Sequence, residues 1–223
     1  MTAWPGAGES LRSRVPGPAG DLDTLVETTR ETWRETLAVV CHPHPQYGGS
    51  KENKVVYTLA RAARELGCHS LRFDFRGVGD SQGGFDDGVG EVEDVLAVLD
   101  WAQRTSGCGR WLLMGFSFGA ATALRAAMRQ TPLGLVTAAL PTAYFPQGLP
   151  RPDCPWLAVH GGRDDVADTE SARMAIAATE PAPEWALLPE AGHFFHGQLS
   201  DLRAAVETQV SDWLDGTLVR NNT

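Results

Sequence analysis

Arg110-Trp-Leu-Leu-Met-Gly115-Phe116-Ser117-Phe118-Gly119-Ala120-Ala-Thr-Ala-Leu124 is the stretch on which the fold turns. Its first part, Arg110–Gly115, is an apolar run of strand length, the pattern of a strand buried on both faces. Its last part opens a small-residue helix predicted over Ala120–Gln130. Between them, Gly-x-Ser-x-Gly has to turn the chain within a few residues. A serine in such a turn takes a strained backbone conformation, and side chains two residues to either side collide with the neighbouring strand and helix. Glycine at 115 and 119 relieves that crowding. The helix behind the serine offers free N–H groups and a positive dipole end, which favour a developing oxyanion. The five-residue pattern alone is weak; its position between a buried strand and a helix makes Ser117 a candidate nucleophile.

The same alternation runs outward in both directions. Leu37–Cys41, Ser70–Asp74, Leu135–Leu140, Trp156–His160 and Trp185–Leu188 read as strands. Lys54–Leu66, Val92–Ala102, Glu170–Ala178 and Leu202–Leu214 carry apolar residues at three- and four-residue spacing and read as helices. Ahead of them, Ser10–Val15 and Leu22–Glu27 flank the turn-forming run Pro16-Gly-Pro-Ala-Gly20, the pattern of an antiparallel hairpin. Strand–helix alternation predicts an α/β fold with a mostly parallel, doubly wound sheet. A closed barrel of the same units needs about 250 residues and leaves no place for the hairpin. The expected organisation is one domain over residues 1–223, with 1–35 forming the hairpin and approach and 36–215 the core. Ligands of such sheets bind at the C-terminal ends of the strands.

Composition narrows the partners. The chain has 223 residues, 43% hydrophobic and 21% charged, which argues against general disorder. Nineteen Lys and Arg against 28 Asp and Glu give a net charge of −9. With no clustered basic patch, neither nucleic acid nor an anionic membrane is an expected partner. No stretch approaches the roughly 20 apolar residues of a membrane span, and the first residues have no basic start or apolar run of a leader. Cys41, Cys68, Cys108 and Cys154 lie far apart with no C-x-x-C spacing, so neither a disulfide framework nor a metal site is expected. His42-Pro-His44 invites a metal reading but has no third ligand at supportive spacing. The expectation is a cytoplasmic protein.

A serine hydroxyl needs a base to take its proton and a carboxylate to orient that base. Downstream of Ser117, Asp164 and Asp165 follow the strand at Trp156–His160. His193 and His196 follow the last short strand. Serine, acid, histidine is the chain order that this kind of sheet uses.

These stations resemble those of the α/β-hydrolase superfamily: the elbow at Gly115–Gly119, His160-Gly161-x-x-Asp164, and Gly192-His193. Asp74-Phe-Arg76-Gly77-Val-Gly79-Asp-Ser81 matches a strand-end pattern common there, D-x-R-G-x-G-x-S. His42-Pro-His44-Pro-Gln46-Tyr47-Gly48-Gly49-Ser50 and His193-Phe-Phe-His196-Gly are similar to segments of small bacterial hydrolases in the dienelactone-hydrolase-like and prolyl-oligopeptidase-like branches. The match runs from about Leu37 to Leu214. It implies Ser117 as nucleophile, His193 as general base and acid, and Asp164 as the orienting carboxylate, with Asp165 and His196 as rivals.

For the oxyanion hole it implies the backbone N–H of Phe118 and a second from the loop after Leu37–Cys41. Pro43 and Pro45 have no N–H to give, which leaves His44, Gln46 or Tyr47, with Gln46 the expected donor. Arg76, Asp80 and Ser81 are expected to brace the neighbouring loop, and Asp94 and Trp101 to pack or cap the helix after it. Only Pro141–Pro155 separates the two strands where relatives insert a cap. The expected pocket is therefore shallow, lined by Tyr47, Phe116, Phe118, Tyr144, Phe145 and Phe194, and suited to a small acyl substrate. The implied chemistry is ester or thioester hydrolysis without a cofactor, with peptide-bond cleavage or a silent, ligand-binding relative as alternatives.

Overall fold

A computed structural model describes residues 4–216; the two ends of the expected 1–223 unit lie outside the described residues. Eight strands form one sheet: β1 (Ser10–Gly17), β2 (Gly20–Glu27), β3 (Thr36–Cys41), β4 (His69–Phe73), β5 (Arg110–Phe116), β6 (Gly134–Ala138), β7 (Trp156–Gly161) and β8 (Glu184–Leu188). Their spatial order is β1-β2-β4-β3-β5-β6-β7-β8. The hairpin β1–β2 joins antiparallel to β4, and every pairing from β4 to β8 is parallel. The Pro16–Gly20 run divides as its chemistry allows: Pro16 and Gly17 pair with Asp21 and Gly20 at the strand ends, and Pro18-Ala19 makes the turn. This is the α/β-hydrolase arrangement.

Helices α1 (Lys54–Glu65), α2 (Gly90–Ser106), α3 (Phe118–Ala127), α4 (Thr169–Ala177) and α5 (Leu199–Leu214) cover both faces. Alternation along the central strand shows why. Leu37, Val39 and Cys41 of β3 enter the core shared with α2, α3 and Ile176 of α4, while Ala38 and Val40 enter the one shared with α1 and α5. Parallel strands covered on both sides are largely apolar; β3, β4, β6 and β7 are buried along their whole length, β4 carrying His69, Ser70 and Arg72 into that burial. Asn53 caps α1 by accepting from Val55 and Val56 N–H, and Gly67, at φ +84°, ends the turn after it.

Strand order positions the site. β3 sends its chain through α1 to β4 on one side, while its other neighbour, β5, continues through α3 on the opposite face. The loops leaving β3 and β5 therefore diverge from adjacent strand ends and open a crevice between them. Between β6 and β7 the chain forms only a single 3₁₀ turn at Thr142–Tyr144, so no cap covers the crevice.

Candidate active site

Ser117 sits at the head of that crevice with φ 54° and ψ −121°, a conformation costly for a residue with a side chain. Its N–H donates to Ala138 O at 2.9 Å, and its carbonyl accepts from Ala120 and Ala121 as α3 begins. The helix starts at Phe118, two residues before the apolar pattern suggests, because the elbow itself supplies the first turn. Both flanking glycines are forced by contact. A Cβ at Gly115 falls 2.2 Å from Gly119 O, and one at Gly119 falls 2.4 Å from the Cys41 and His42 carbonyls. The elbow is thus wedged against both its own helix and the end of β3.

His193 Nε2 lies 3.0 Å from Ser117 Oγ, and His193 Nδ1 lies 2.9 and 3.1 Å from the two Asp164 oxygens. All three residues are buried. Val166 and Ala167 N–H also donate to Asp164 Oδ1, at 2.9 and 2.7 Å. Burial alone raises a carboxyl pKa; at Asp164 the bonds from His193 and these two N–H groups outweigh it and hold the group below its ordinary range. An ionised Asp164 takes the Nδ1 proton as its hydrogen bond, which leaves Nε2 bare to accept from the Ser117 hydroxyl.

Asp165 is exposed, and His196 is exposed and stacked on Phe194 at 5.8 Å; neither joins the cluster. The acid and histidine loops are brought together by small residues and backbone bonds. A Cβ at Gly161 meets Ala191 O at 2.4 Å, Gly162 N–H donates to Leu188 O, and Arg163 N–H to Ala191 O. Phe195, fully buried, anchors the histidine loop in the core.

Three further buried residues do more than their sequence positions announce. His160 is buried, stacks on Trp185 at 5.5 Å, donates from Nε2 to Ala167 O at 2.7 Å, and lies 3.5 Å from Asp164 Oδ2. Its place in His160-Gly161-x-x-Asp164, at the end of β7 and four residues before the acid, is the available signal. Asp94 is more than a packing residue: fully buried, it accepts from Arg76 Nε and Nη2 at 3.0 and 2.8 Å and from Arg76 N–H at 3.1 Å. Buried Glu91 accepts from Asp86 and Gly88 N–H. Two acids three residues apart among Val92, Val95 and Leu99 were the clue to a braced loop. Ser81 joins that bracing by donating to Asp74 O, whereas exposed Asp80 reaches only Arg14 at 3.9 Å.

The loop after β3 departs from expectation. Gln46 N–H, expected as an oxyanion donor, is bonded to His44 Nδ1 at 3.2 Å, and Tyr47 N–H is bonded to His44 O at 3.1 Å. His44 N–H and Phe118 N–H have no acceptor among the described residues. The His44 ring packs 5.0 Å from that of Phe118. His42 is fully buried, its Nε2 accepting from Phe75 N–H at 3.0 Å and its Nδ1 donating to Pro43 O at 2.6 Å. Both imidazoles of the His-Pro-His run thus bond to backbone, His44 within its own loop and His42 both there and to Phe75 after β4. Of the expected lining, Phe116 and Phe118 are also buried, packing the elbow, while Tyr47 and Phe194 are exposed beside His44 and His193.

The family model for X-Pro dipeptidyl-peptidases (S15 family) matches residues 28–149, more than half the chain. The chain belongs to this family. A relative in Rickettsia prowazekii, the uncharacterised protein RP471, is 33% identical over 181 residues, 76% of each chain. Among solved structures, the Xanthomonas campestris protein XC6422, described as an α/β serine hydrolase without lid, is 36% identical with a TM-score of 0.90, covering 96% of this chain and 98% of its own. An α/β serine hydrolase homologue from Coxiella burnetii is 37% identical with a TM-score of 0.86, covering 92% and 99%. This S15-family chain is a member of the α/β-hydrolase superfamily, and its hydrolase fold extends well past the segment that the family model matches. No helix among the described residues is long and apolar enough to cross a membrane.

Proposed function

We propose that the protein is a serine hydrolase of small esters or thioesters, working through Ser117, His193 and Asp164. The observation that carries this reading is the continuous relay from Asp164 through His193 to Ser117 Oγ, with contacts of 2.9 and 3.0 Å, at a strained elbow. His193 Nε2 takes the Ser117 proton as Oγ attacks the substrate carbonyl. The negative oxygen is held by the N–H of Phe118 and by that of His44, which replaces Gln46 as the second donor. As the tetrahedral intermediate collapses, His193 passes its proton to the leaving alcohol or thiol. Water then repeats the sequence on the acyl-enzyme and frees the acid. No cofactor enters any step.

The uncapped crevice, with Tyr47 and Phe194 at its rim, suits short acyl groups rather than long chains that need a tunnel. Four free, buried cysteines fit a reducing compartment, and we place the protein in the cytoplasm.

Family membership favours one second reading, cleavage of a peptide bond after an X-Pro pair. Turnover of p-nitrophenyl acetate against a glycyl-prolyl p-nitroanilide separates the two. For either substrate, Ser117→Ala lowers kcat by roughly 10⁴–10⁶-fold, and fluorophosphonate labels Ser117 in the wild type. A wild type that neither turns over nor takes the label sinks the hydrolase reading.

A further inference from the structure

The loop that carries His44 begins at His42 and ends at Lys51, and both ends are tied to two consecutive residues just past the C-terminal end of β4. At its start, His42 Nε2 accepts from Phe75 N–H at 3.0 Å. At its end, Lys51 N–H donates to Asp74 Oδ1 at 2.7 Å and Lys51 Nζ to Asp74 Oδ2. The ammonium also reaches Asp23 Oδ2 on β2 at 2.6 Å, and Lys51 O accepts from Arg72 Nη1 at 2.6 Å. Between these ends the loop folds on itself: Gly49 N–H bonds to His44 O, and Gly49 lies so close to Pro43 that a Cβ falls 2.0 Å from Pro43 O.

We infer that the Lys51–Asp74 ion pair is a positioning device for the oxyanion hole, holding His44 N–H at the height that β3 and β5 set for the Ser117 elbow. The inference rests on the hydrolase reading above.

Three observations favour this over a bland surface ion pair. Lys51 and Asp74 side chains are each only 4% exposed, so the pair is built into the core. Asp74 takes both the main-chain and side-chain donors of one residue, which fixes the Lys51 backbone and not merely its charge. The Phe75–His42 and Asp74–Lys51 contacts also hold opposite ends of the same loop, so one anchor without the other leaves it free to pivot. Burial tends to lower the Lys51 pKa, but the two carboxylates outweigh it and hold the ammonium charged. An ion buried with two counter-ions is also why simple removal of the lysine strands charge.

The test compares Lys51→Met with Lys51→Met/Asp23→Asn, in which less unpaired charge remains. Read-outs are kcat and KM for p-nitrophenyl acetate, affinity for a phenylboronate transition-state analogue, and the downfield proton resonance of the His193–Asp164 bond. Displacing an oxyanion donor by a fraction of an ångström lowers kcat by about 10–100-fold. The expected result is that loss in both variants, with KM within about twofold, boronate affinity reduced in parallel and the downfield resonance retained. A folded double variant with wild-type kcat overturns the inference, as does loss of the downfield resonance together with activity, which marks general damage to the site. Wild type without Ser117-dependent turnover overturns both this and the hydrolase reading; turnover indifferent to Lys51 removes only the loop assignment.

Discussion

The two loops that face one another across the crevice are held by different physics. The elbow is held by backbone against backbone: Gly115 presses on Gly119, Gly119 on Cys41 and His42, all within the reach of adjacent strands. The loop after β3 is held by remote segments: the side chains of Asp23 on β2, Arg72 on β4 and Asp74 just beyond it, and the Phe75 N–H that His42 accepts. The elbow is fixed by the absence of side-chain atoms alone; the other loop shares one such contact, Gly49 on Pro43, and adds buried charges to it. The first arrangement tolerates no addition, whereas the second gives way by degrees.

Adding one methyl to the elbow is the severest way to break this contrast. In Gly115→Ala the new Cβ lies 2.2 Å from Gly119 O, a backbone atom that no rotamer change moves aside. The expected cost is about 3 kcal/mol or more, and a Tm lower by roughly 6–12 °C for a chain of this size. Calorimetry of wild type and variant measures it. A Tm within 2 °C of wild type means that the elbow relaxes and that backbone contact is not what holds it.

Two neighbouring glycines in the other loop sharpen the contrast. Gly49 meets Pro43 O at 2.0 Å from a built Cβ, while Gly48 has open space but φ +77°. Gly48→Ala pays only for the left-handed conformation, about 1 kcal/mol, and keeps kcat within about twofold. Gly49→Ala pushes the loop off its seat. It costs about 2 kcal/mol and lowers kcat about tenfold, because His44 N–H moves with it. Steady-state kinetics beside urea unfolding check both; equal kcat in the two variants removes His44 from the oxyanion hole.

The same difference decides what was legible in the sequence. Gly115-x-Ser117-x-Gly119 is five consecutive residues whose spacing is the mechanism, so the elbow and the strand and helix around it are readable without any partner. Asp164 and His193 are readable as stations after the last strands, since the parallel order fixes where those strands end. The choice of Asp164 over Asp165 becomes physical only in three dimensions, where the Val166 and Ala167 N–H groups turn back onto one carboxylate. Gln46 N–H, the expected second oxyanion donor, is engaged elsewhere for a related reason. Proline chemistry eliminates two residues of the loop, but it does not reveal that His44 Nδ1 claims Gln46 N–H for a 3₁₀ turn. Lys51, Asp74 and Asp23 are far apart in sequence and meet only because the hairpin docks on β4.

Acid exposes the softer of the two loops. The buried His42 ring must stay neutral, since Nε2 accepts from Phe75 N–H and a proton there faces a donor. Burial, assisted by the nearby Lys51 charge and opposed by the Pro43 carbonyl, pushes its pKa down to about 3. In the unfolded chain a histidine titrates near 6.5. Above that value neither state binds the proton and His42 costs nothing; below it the unfolded chain gains a proton that the folded one refuses. Stability therefore falls as pH drops from about 6.5 toward about 3, by up to about 1.4 kcal/mol per pH unit from this one group. His42→Gln removes the titration, and the other histidines, common to both proteins, cancel in the comparison. Between pH 7.5 and pH 5 the wild type should lose about 2 kcal/mol more than the variant in urea unfolding. Parallel losses leave His42 no part in pinning the loop. The elbow is held by contacts that carry no proton themselves, so acid acts first on the loop that His42 begins.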